Sequence, residues 1–135
     1  MPSRYLGLDV GTKRIGVASG DSGTNIAFPL KTLTVDGTEV SRIKALAEDM
    51  MVEQIIVGYP RSQNGEVSAQ TSFTEEFVAK LRKTGLVCEF QDESVTSLIA
   101  EENLKAIGRP YDKADIDAAA AAIILTDFME SRRHG

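Results

Sequence analysis

The chain has 135 residues, of which 42% are hydrophobic and 26% charged, and its formal net charge is −5. This composition is typical of a globular protein and excludes a disordered or fibrous chain, while the length predicts a single domain over residues 1–135. The negative charge argues against a surface that binds polyanions indiscriminately. The longest apolar run, residues 118–125, is too short to cross a bilayer, and the N-terminal residues lack the pattern of a signal peptide. We therefore expect a cytoplasmic protein with no membrane contact.

Cysteine and histidine are too scarce to support several common chemistries. Cys88 is the single cysteine, so no internal disulfide or cysteine zinc cluster can form, and we predict that it is a small buried hydrophobe. His134, the single histidine, lies in a charged C-terminal tail, which argues against a histidine general base or a histidine-bound metal. Ser22 lies in a Gly-Asp-Ser-Gly sequence, but no base is available to activate it, so we interpret this segment as a hairpin turn.

The first third of the chain predicts three strands in an antiparallel meander. Apolar stretches at residues 5–10, 14–19 and 25–33 are separated by turns rich in Gly, Asp and Ser. Pro29 lies within the third stretch, and because proline cannot donate a ladder hydrogen bond, it predicts an edge position for that strand.

The rest of the chain alternates helices with strands. Apolar periodicity predicts a helix after Gly37, a second from Ala69 to a stop at Gly85, a third opened by Ser94 or Thr96 and closed at Gly108, and a fourth from Asp112 to about Arg132. The predicted inward faces of the first two helices are Val40, Ile43, Leu46, Ala47 and Met50, and Ala69, Phe73, Phe77 and Leu81. Short apolar runs at residues 54–58 and 86–90 predict the fourth and fifth strands.

This order of elements predicts an α/β fold. Strands that alternate with helices require right-handed parallel crossovers, so the first, fourth and fifth strands should be parallel neighbours. The expected architecture is a mixed five-stranded sheet, with a three-strand antiparallel meander and two parallel strands, flanked by about four helices. The C-terminal ends of the parallel strands share one edge, and ligands of open α/β sheets bind at that edge.

Asp9 stands out because it is a carboxylate at the end of an apolar strand, followed directly by a glycine turn. A buried charge is costly unless it is compensated, and a bound cation would compensate it. Alternatively, the carboxylate could accept hydrogen bonds from the amides of its own turn. These residues alone support the two interpretations equally.

A second acidic position follows the fifth predicted strand and therefore reaches the same sheet edge. An acidic dipeptide ahead of a helix often serves as a cap, and for Asp92 we expect that role or a supporting role beside a site. Glu93 has the longer reach that a residue needs to enter a site over the sheet.

The last predicted helix offers two further candidates, which helical geometry distinguishes. Positions i+3, i+4, i+7 and i+11 from Asp117 form an apolar stripe that should face the sheet: Ala120, Ala121, Ile124 and Phe128. Asp115 lies three residues after Asp112, which is the spacing of a capping box. We therefore expect Asp117 to enter the site and Asp115 to support the helix start, near enough to contribute to a site.

Three carboxylates that converge in this way would repel one another without a counter-ion. Oxygen ligands without histidine or cysteine select Mg²⁺ or Mn²⁺, and two such ions roughly 3.5–4 Å apart would activate a water and stabilise a leaving oxyanion. We therefore predict hydrolysis of phosphodiesters or phosphoanhydrides at Asp9, Glu93 and Asp117. Five cations are expected around the same edge, where they could hold backbone phosphates: Lys13, Arg14, Arg61, Arg109 and Lys113. For each cation alone a solvated surface role is the better interpretation, and only their shared edge favours phosphate binding.

Four segments, in order and spread over nearly the whole chain, carry recognisable motifs. They are residues 8–18 (LDVGTKRIGVA), residues 55–60 (IIVGYP) with the following Asn64 and Gly65, residues 92–97 (DESVTS) and residues 113–121 (KADIDAAAA). In turn they resemble the opening signature, the central motif, the Asp-Glu-Arg block and the final helix of the YqgF (RuvX) family.

This resemblance implies an RNase H-like fold in which Asp9, Glu93 and Asp117 correspond to the acidic triad. The family is described as nucleases for the 5′ end of pre-16S rRNA and, by similarity to the RuvC fold, as Holliday junction resolvases. The implied partner is structured RNA such as pre-16S rRNA, or branched DNA, and the expected oligomeric state is a monomer or a weak homodimer. Ser94 stands where the family has arginine, so Arg61 or Arg109 would have to replace any phosphate contact of that arginine.

Two other functions remain compatible with the residues. The Asp-x-Gly-Thr turn followed by Gly16 also resembles the phosphate loop of actin-like ATPases, which enclose their nucleotide between two such domains. The chain could also be a non-catalytic RNA-binding module in ribosome maturation, with the acidic cluster as a structural remnant. Chelator-insensitive RNA binding would distinguish the second alternative from a nuclease.

Overall fold

The computed structural model describes residues 2–60, 69–93 and 96–134, except for the side chains of residues 93, 96–98, 133 and 134. Within these residues the elements are β1 (Arg4–Val10), β2 (Arg14–Asp21), β3 (Ile26–Thr34), α1 (Glu39–Asp49), β4 (Gln54–Pro60), α2 (Ala69–Lys83), β5 (Cys88–Glu93), α3 (Thr96–Ile107) and α4 (Lys113–His134). None of the helices in this described part is long and apolar enough to cross a bilayer.

The five strands form one mixed sheet in the order β3-β2-β1-β4-β5. β1 pairs antiparallel with β2, and β2 pairs antiparallel with β3, which confirms the predicted meander. β4 pairs parallel with both β1 and β5, which confirms the two predicted crossovers. Pro29 lies in β3 at one edge of the sheet, as expected for a residue without an amide donor. The C-terminal ends of β1, β4 and β5 therefore share an edge.

Side chains alternate between the two faces of the sheet, and each face has its own core. On one face, Leu6 and Leu8 of β1 pack with α1 and α2, where Ile43 and Leu81 are fully buried. On the other face, Tyr5 of β1 packs with the apolar side of α4. α3 packs on α4 rather than on the sheet. The helix that carries the predicted acidic residues therefore covers its own face of β1, β2 and β3.

Two sequence expectations about these elements are wrong in detail. β5 begins at Cys88 rather than at residue 86, because Val87 remains 56% exposed while the chain leaves Gly85, a helix stop with φ of +95°. Ala69, predicted to face inward, is exposed in the first turn of α2. Thr74 and Val78, which were not among the predicted inward residues, are buried. β5 also extends beyond the predicted residue 90 to Glu93, so the acidic pair forms the last two residues of the strand.

Candidate active site

α4 rests directly on the sheet at two glycines. A Cβ atom at Gly16 of β2 would overlap the carbonyl group of Asp117, and one at Gly7 of β1 would lie 2.8 Å from the carbonyl oxygen of Ala121. Neither glycine is among the described residues with positive φ, so each is needed for space rather than for an unusual backbone conformation. The alanine-rich sequence of α4 and these two glycines together bring the backbone of Asp117 into contact with β2.

Asp9 approaches the same point from β1. It is the register partner of Gly16, and cross-strand partners in antiparallel pairs have Cα atoms about 4.5–5.5 Å apart. Alternation along β1 turns Asp9 toward α4, because Tyr5 and Gly7 at the preceding odd positions both contact that helix. Its side chain is partly buried. Asp9 and Asp117 therefore flank one glycine on one face of the sheet, which is the convergence that the helical spacing indicated.

The carboxylate of Asp117 is held by a cation. The Nε atom of Arg14 donates to Oδ2 of Asp117 at 2.6 Å, a short distance that is characteristic of a charge-assisted hydrogen bond. The two side chains are 36% and 22% exposed, so water and ions can reach the pair. The sequence predicted Arg14 as one of five cations around this edge that could hold phosphates, but not its bond to Asp117.

The start of α4 is fixed by a reciprocal cap. The Asp115 backbone amide donates to Oδ1 of Asp112, and the Asp112 amide donates to Oδ2 of Asp115, each at 3.0 Å. This capping box confirms the predicted structural role of Asp115. The hydroxyl of Thr32 in β3 also donates to the Ala114 carbonyl at 2.6 Å, so the first turn is tied to the sheet.

The stripe that begins at Asp117 faces the sheet, as predicted. Its four apolar members are between 0% and 4% exposed: Ala120, Ala121, Ile124 and Phe128. Asp117 itself, at the head of this stripe, remains partly exposed. Thus the same face that anchors α4 presents Asp117 to the site.

The acidic pair of β5 lies at the predicted edge. Glu93 is the last residue of β5 and the register partner of Pro60, while its side chain lies outside the described residues. Asp92 pairs with Tyr59 and, by alternation with Phe90, turns toward the face of α2 rather than of α4. The backbone thus brings Glu93 to the same edge as Asp9, and its contact with Asp9 and Asp117 stays a prediction.

Side chains that sequence analysis missed hold the end of β1. The amide of Gln70, in the first turn of α2, donates to the Val10 carbonyl at 2.6 Å. The Gly11 amide donates to the Arg14 carbonyl at 2.9 Å and closes the turn after Asp9. Such long-range side-chain contacts leave no periodic signal in the sequence, so only the three-dimensional structure reveals them.

A groove of about 480 Å³ opens beside the first turns of α4, between β3 and the segment that links α3 to α4. Arg109, Tyr111 and Asp115 contribute to its lining. Partial burial and a hydrogen bond from its hydroxyl to Glu101, at 3.0 Å, raise the pKa of Tyr111 above its ordinary value. Ala114 and Ala118 of α4 also line the groove, so it lies beside the helical turn that carries Asp117.

The other predicted cations surround this region in part. Lys13 lies exposed in the turn between β1 and β2, and exposed Lys113 is the first residue of α4 rather than a loop residue. Arg109 lines the groove, and Arg61 lies outside the described residues. Three of the five cations are therefore exposed near the acidic edge, while Arg14 is bonded within it.

The donor set at this edge fits a hard divalent cation. Asp9 and Asp117 supply carboxylate oxygens only, which are ligands that Mg²⁺ and Mn²⁺ accept. In the described part of the chain, no three His, Cys, Asp or Glu side chains are grouped closely enough to hold a metal. The side chain of Glu93, the third predicted ligand, is outside that part, so a metal site here remains a prediction.

The fold matches that of known nucleases. T. thermophilus RuvC in complex with a Holliday junction substrate superposes with a TM-score of 0.59, at 16% identity and over 98% of this chain and 96% of that chain. The large terminase nuclease of thermophilic phage G20c superposes with a TM-score of 0.56, at 14% identity and over 93% and 80% of the two chains. These likenesses define the class: the chain has an RNase H-like fold.

Sequence comparison then identifies the family. The chain belongs to the RuvX family, whose model carries the description Holliday junction resolvase and matches residues 3–131. A relative from Roseiflexus sp. (strain RS-1) is 38% identical over 98% of this chain and 97% of its own length. Another from Gloeothece citriformis is 41% identical over 95% of this chain and 88% of its own length. Both bear the name "Putative pre-16S rRNA nuclease". The resemblance found in the four sequence motifs is confirmed.

Proposed function

We propose that this protein is a divalent-metal-dependent endonuclease that cleaves precursor 16S rRNA at the sheet edge formed by Asp9, Glu93 and Asp117. Family membership makes the chain a nuclease, a hydrolase that acts on phosphodiester bonds. The observation that carries the site assignment is the convergence of Asp9 and Asp117 on the two sides of Gly16. A ribosomal precursor as substrate would also account for a cytoplasmic protein.

The proposed chemistry divides between metal and protein. Bound Mg²⁺ or Mn²⁺, with two ions present when substrate is bound, would activate the attacking water and stabilise the leaving oxyanion. Asp9, fixed by strand pairing, and Asp117, fixed by the seating of α4, would hold carboxylate oxygens at a constant separation. Partial burial of both carboxylates strengthens their electrostatic interactions relative to bulk water. No protein nucleophile is required by this scheme.

Nucleic acid would approach through phosphate contacts around the edge. The overall charge of −5 opposes general binding, so affinity must come from local cations. Lys13, Arg109 and Lys113 are exposed at or near the edge, and the groove lined by Arg109 could receive the strand next to the cleaved phosphate. Such contacts position a backbone without reading its sequence.

RNA is favoured as the substrate by the names of the close relatives. The description of the family model instead supports the alternative substrate, a Holliday junction. Resolution of a junction requires paired cuts, which a symmetric dimer would provide, whereas trimming of an rRNA end requires one site. We propose a monomer or a weak homodimer, so the oligomeric state during cleavage separates the two substrates.

The test is a cleavage assay with a precursor of the 16S rRNA 5′ end and a four-way DNA junction, each with Mn²⁺ or with EDTA. We expect Mn²⁺-dependent cleavage of the RNA and a loss of about 100-fold or more in Asp9→Asn, since even indirect supports of metal ligands contribute 10–100-fold. Asp49→Asn removes the same charge from exposed Asp49 at the end of α1 and should cleave normally.

Undiminished metal-dependent activity of Asp9→Asn would refute the site assignment. Cleavage of the junction but not of the RNA would refute the rRNA substrate. RNA binding that persists in EDTA, with no cleavage under any condition, would favour the non-catalytic module instead.

A further inference from the structure

The bond between Arg14 and Asp117 occupies one of the two carboxylate oxygens that Asp117 could offer to the proposed metal site. Oδ2 of Asp117 accepts from Arg14 Nε at 2.6 Å, and both side chains are partly exposed to solvent. A carboxylate oxygen with a guanidinium at this distance has a positive charge directly in front of it. A divalent cation that approached the same oxygen would meet that charge.

Arg14 is directed to this position by the backbone of the hairpin. Its carbonyl accepts from the Gly11 amide at 2.9 Å, and its backbone pairs with Thr34 of β3. It lies two residues before Gly16, and residues at this spacing on a strand share a face. Alternation along β2 directs the Arg14 side chain toward the face that α4 covers, and the packing of α4 on Gly16 brings Asp117 to the same place. The two side chains therefore meet.

The electrostatic need for such a cation is clear from the arrangement of acids. Asp9 and Asp117 flank Gly16, and neighbouring carboxylates repel unless an opposite charge is present. In the metal-free protein Arg14 supplies that charge. A divalent cation would supply it when bound, and the metal ion and the guanidinium together would then place three positive charges beside one carboxylate. The guanidinium and the metal are therefore alternative partners of Asp117.

We propose that Arg14 is an exchangeable counter-ion that competes with the divalent metal for Asp117. The proposal rests on the proposed metal site, and it assigns Arg14 as a positioning residue that acts through Asp117. It has two consequences. Arg14 keeps the acidic edge assembled without metal, and it lowers the affinity of the free protein for metal.

The wild-type protein provides the first test, by observation of the arginine Nε–H resonances in ¹H–¹⁵N NMR spectra. The Arg14 signal is assigned from its absence in Arg14→Gln. In metal-free protein we expect a downfield Nε proton that exchanges slowly with water, because it is hydrogen-bonded to a carboxylate. Titration with Mg²⁺ should move it upfield and speed its exchange. An Arg14 signal unchanged at saturating Mg²⁺ would overturn the proposal.

The second test compares Mn²⁺ dissociation constants, measured from the electron paramagnetic resonance signal of free Mn²⁺. Removal of one positive charge several ångströms from a divalent ion should tighten binding by Arg14→Gln by about fivefold. Arg42→Gln removes the same charge from α1 on the opposite face of the sheet and should change binding by less than about twofold, because distant charges are screened. Circular dichroism verifies that both variants are folded.

The outcomes separate this proposal from the proposed function. If wild-type protein cleaves RNA with Mn²⁺ but folded Arg14→Gln binds Mn²⁺ no more tightly, the exchange is refuted and the nuclease assignment stands. If wild-type protein binds no Mn²⁺, both the metal site and the exchange are refuted. If Arg14→Gln does not fold, the Arg14 signal is assigned in the wild-type protein by through-bond correlation of its Nε with its own backbone resonances, and the Mg²⁺ titration decides alone.

Discussion

Substitution of Gly16 by alanine tests the seating of α4 on the sheet. The new methyl group would overlap the Asp117 carbonyl, which belongs to helix backbone and cannot rotate aside. Overpacking of this kind costs about 1–3 kcal/mol, and we expect the upper part of that range because the obstacle is rigid. Reduced entropy of the unfolded chain returns about 0.4–1 kcal/mol. The expected net loss in the free energy of unfolding is about 2 kcal/mol.

The same substitution should also impair cleavage, because α4 must move away from β2 and take Asp117 with it. A displacement of about 1 Å at a catalytic group can reduce activity by about 100-fold. Gly20→Ala is the matched control on the same strand and face. Its nearest neighbours are the backbone carbonyl oxygen of Ile26 at 3.0 Å and the flexible ends of Met129 and Leu125 at 3.1 and 3.2 Å. None of these overlaps the new methyl group as the Asp117 carbonyl does, so we expect a smaller stability loss, of about 1 kcal/mol.

Urea denaturation followed by circular dichroism measures the stability of both variants, and the Mn²⁺-dependent cleavage assay measures activity. If Gly16→Ala unfolds at the wild-type urea concentration and cleaves at the wild-type rate, α4 does not rest on β2 as described. If Gly20→Ala is damaged equally, the effect reflects glycine content of β2 rather than the contact with Asp117.

Two further predictions concern the helix start and the groove. Asp115→Ala should lower the free energy of unfolding by about 0.5–2 kcal/mol, as expected for loss of a cap. It should retain metal-dependent cleavage, whereas Asp117→Asn should lose it. Loss of cleavage in folded Asp115→Ala would mean that Asp115 belongs to the metal site. Arg109→Ala should weaken RNA binding and reduce the slope of log affinity against log salt by about 1, measured by fluorescence anisotropy in EDTA. An unchanged slope would show that the groove does not hold a phosphate.

Sequence patterns predicted the parts of the site that depend on regular geometry. Helical periodicity separated Asp117 from Asp115, and the structure confirms the buried stripe that follows Asp117 and the capping box of Asp115. The role of Asp117 as a metal ligand stays a prediction. The parallel crossovers followed from element order, so the shared edge of Asp9 and Glu93 was predictable as well. Each of these inferences uses a pattern that many residues close in sequence share, either helical periodicity or the alternation of strands and helices.

The contacts that were missed join single residues far apart in sequence. Arg14 and Asp117 are 103 positions apart, and nothing in the local pattern around Arg14 distinguishes a buried partner from solvent. The bond from Gln70 to the Val10 carbonyl is of the same kind. Gly16 is similar: a glycine on a strand signals close approach of a backbone or a phosphate, but only the structure shows that the backbone is that of Asp117.

The glycines under α4 also determine how the protein can vary elsewhere. The backbone of α4 packs directly against Gly7 and Gly16. The distance of Asp117 from the sheet is therefore set by backbone contact and not by the size of a neighbouring side chain. Aliphatic residues on the opposite face, where α1 and α2 pack, can change in volume without lifting that carboxylate. The seating of Asp117 on β2 is thus separate from the larger core, whereas Asp9 lies between Leu8 and Val10 of that core and moves with it.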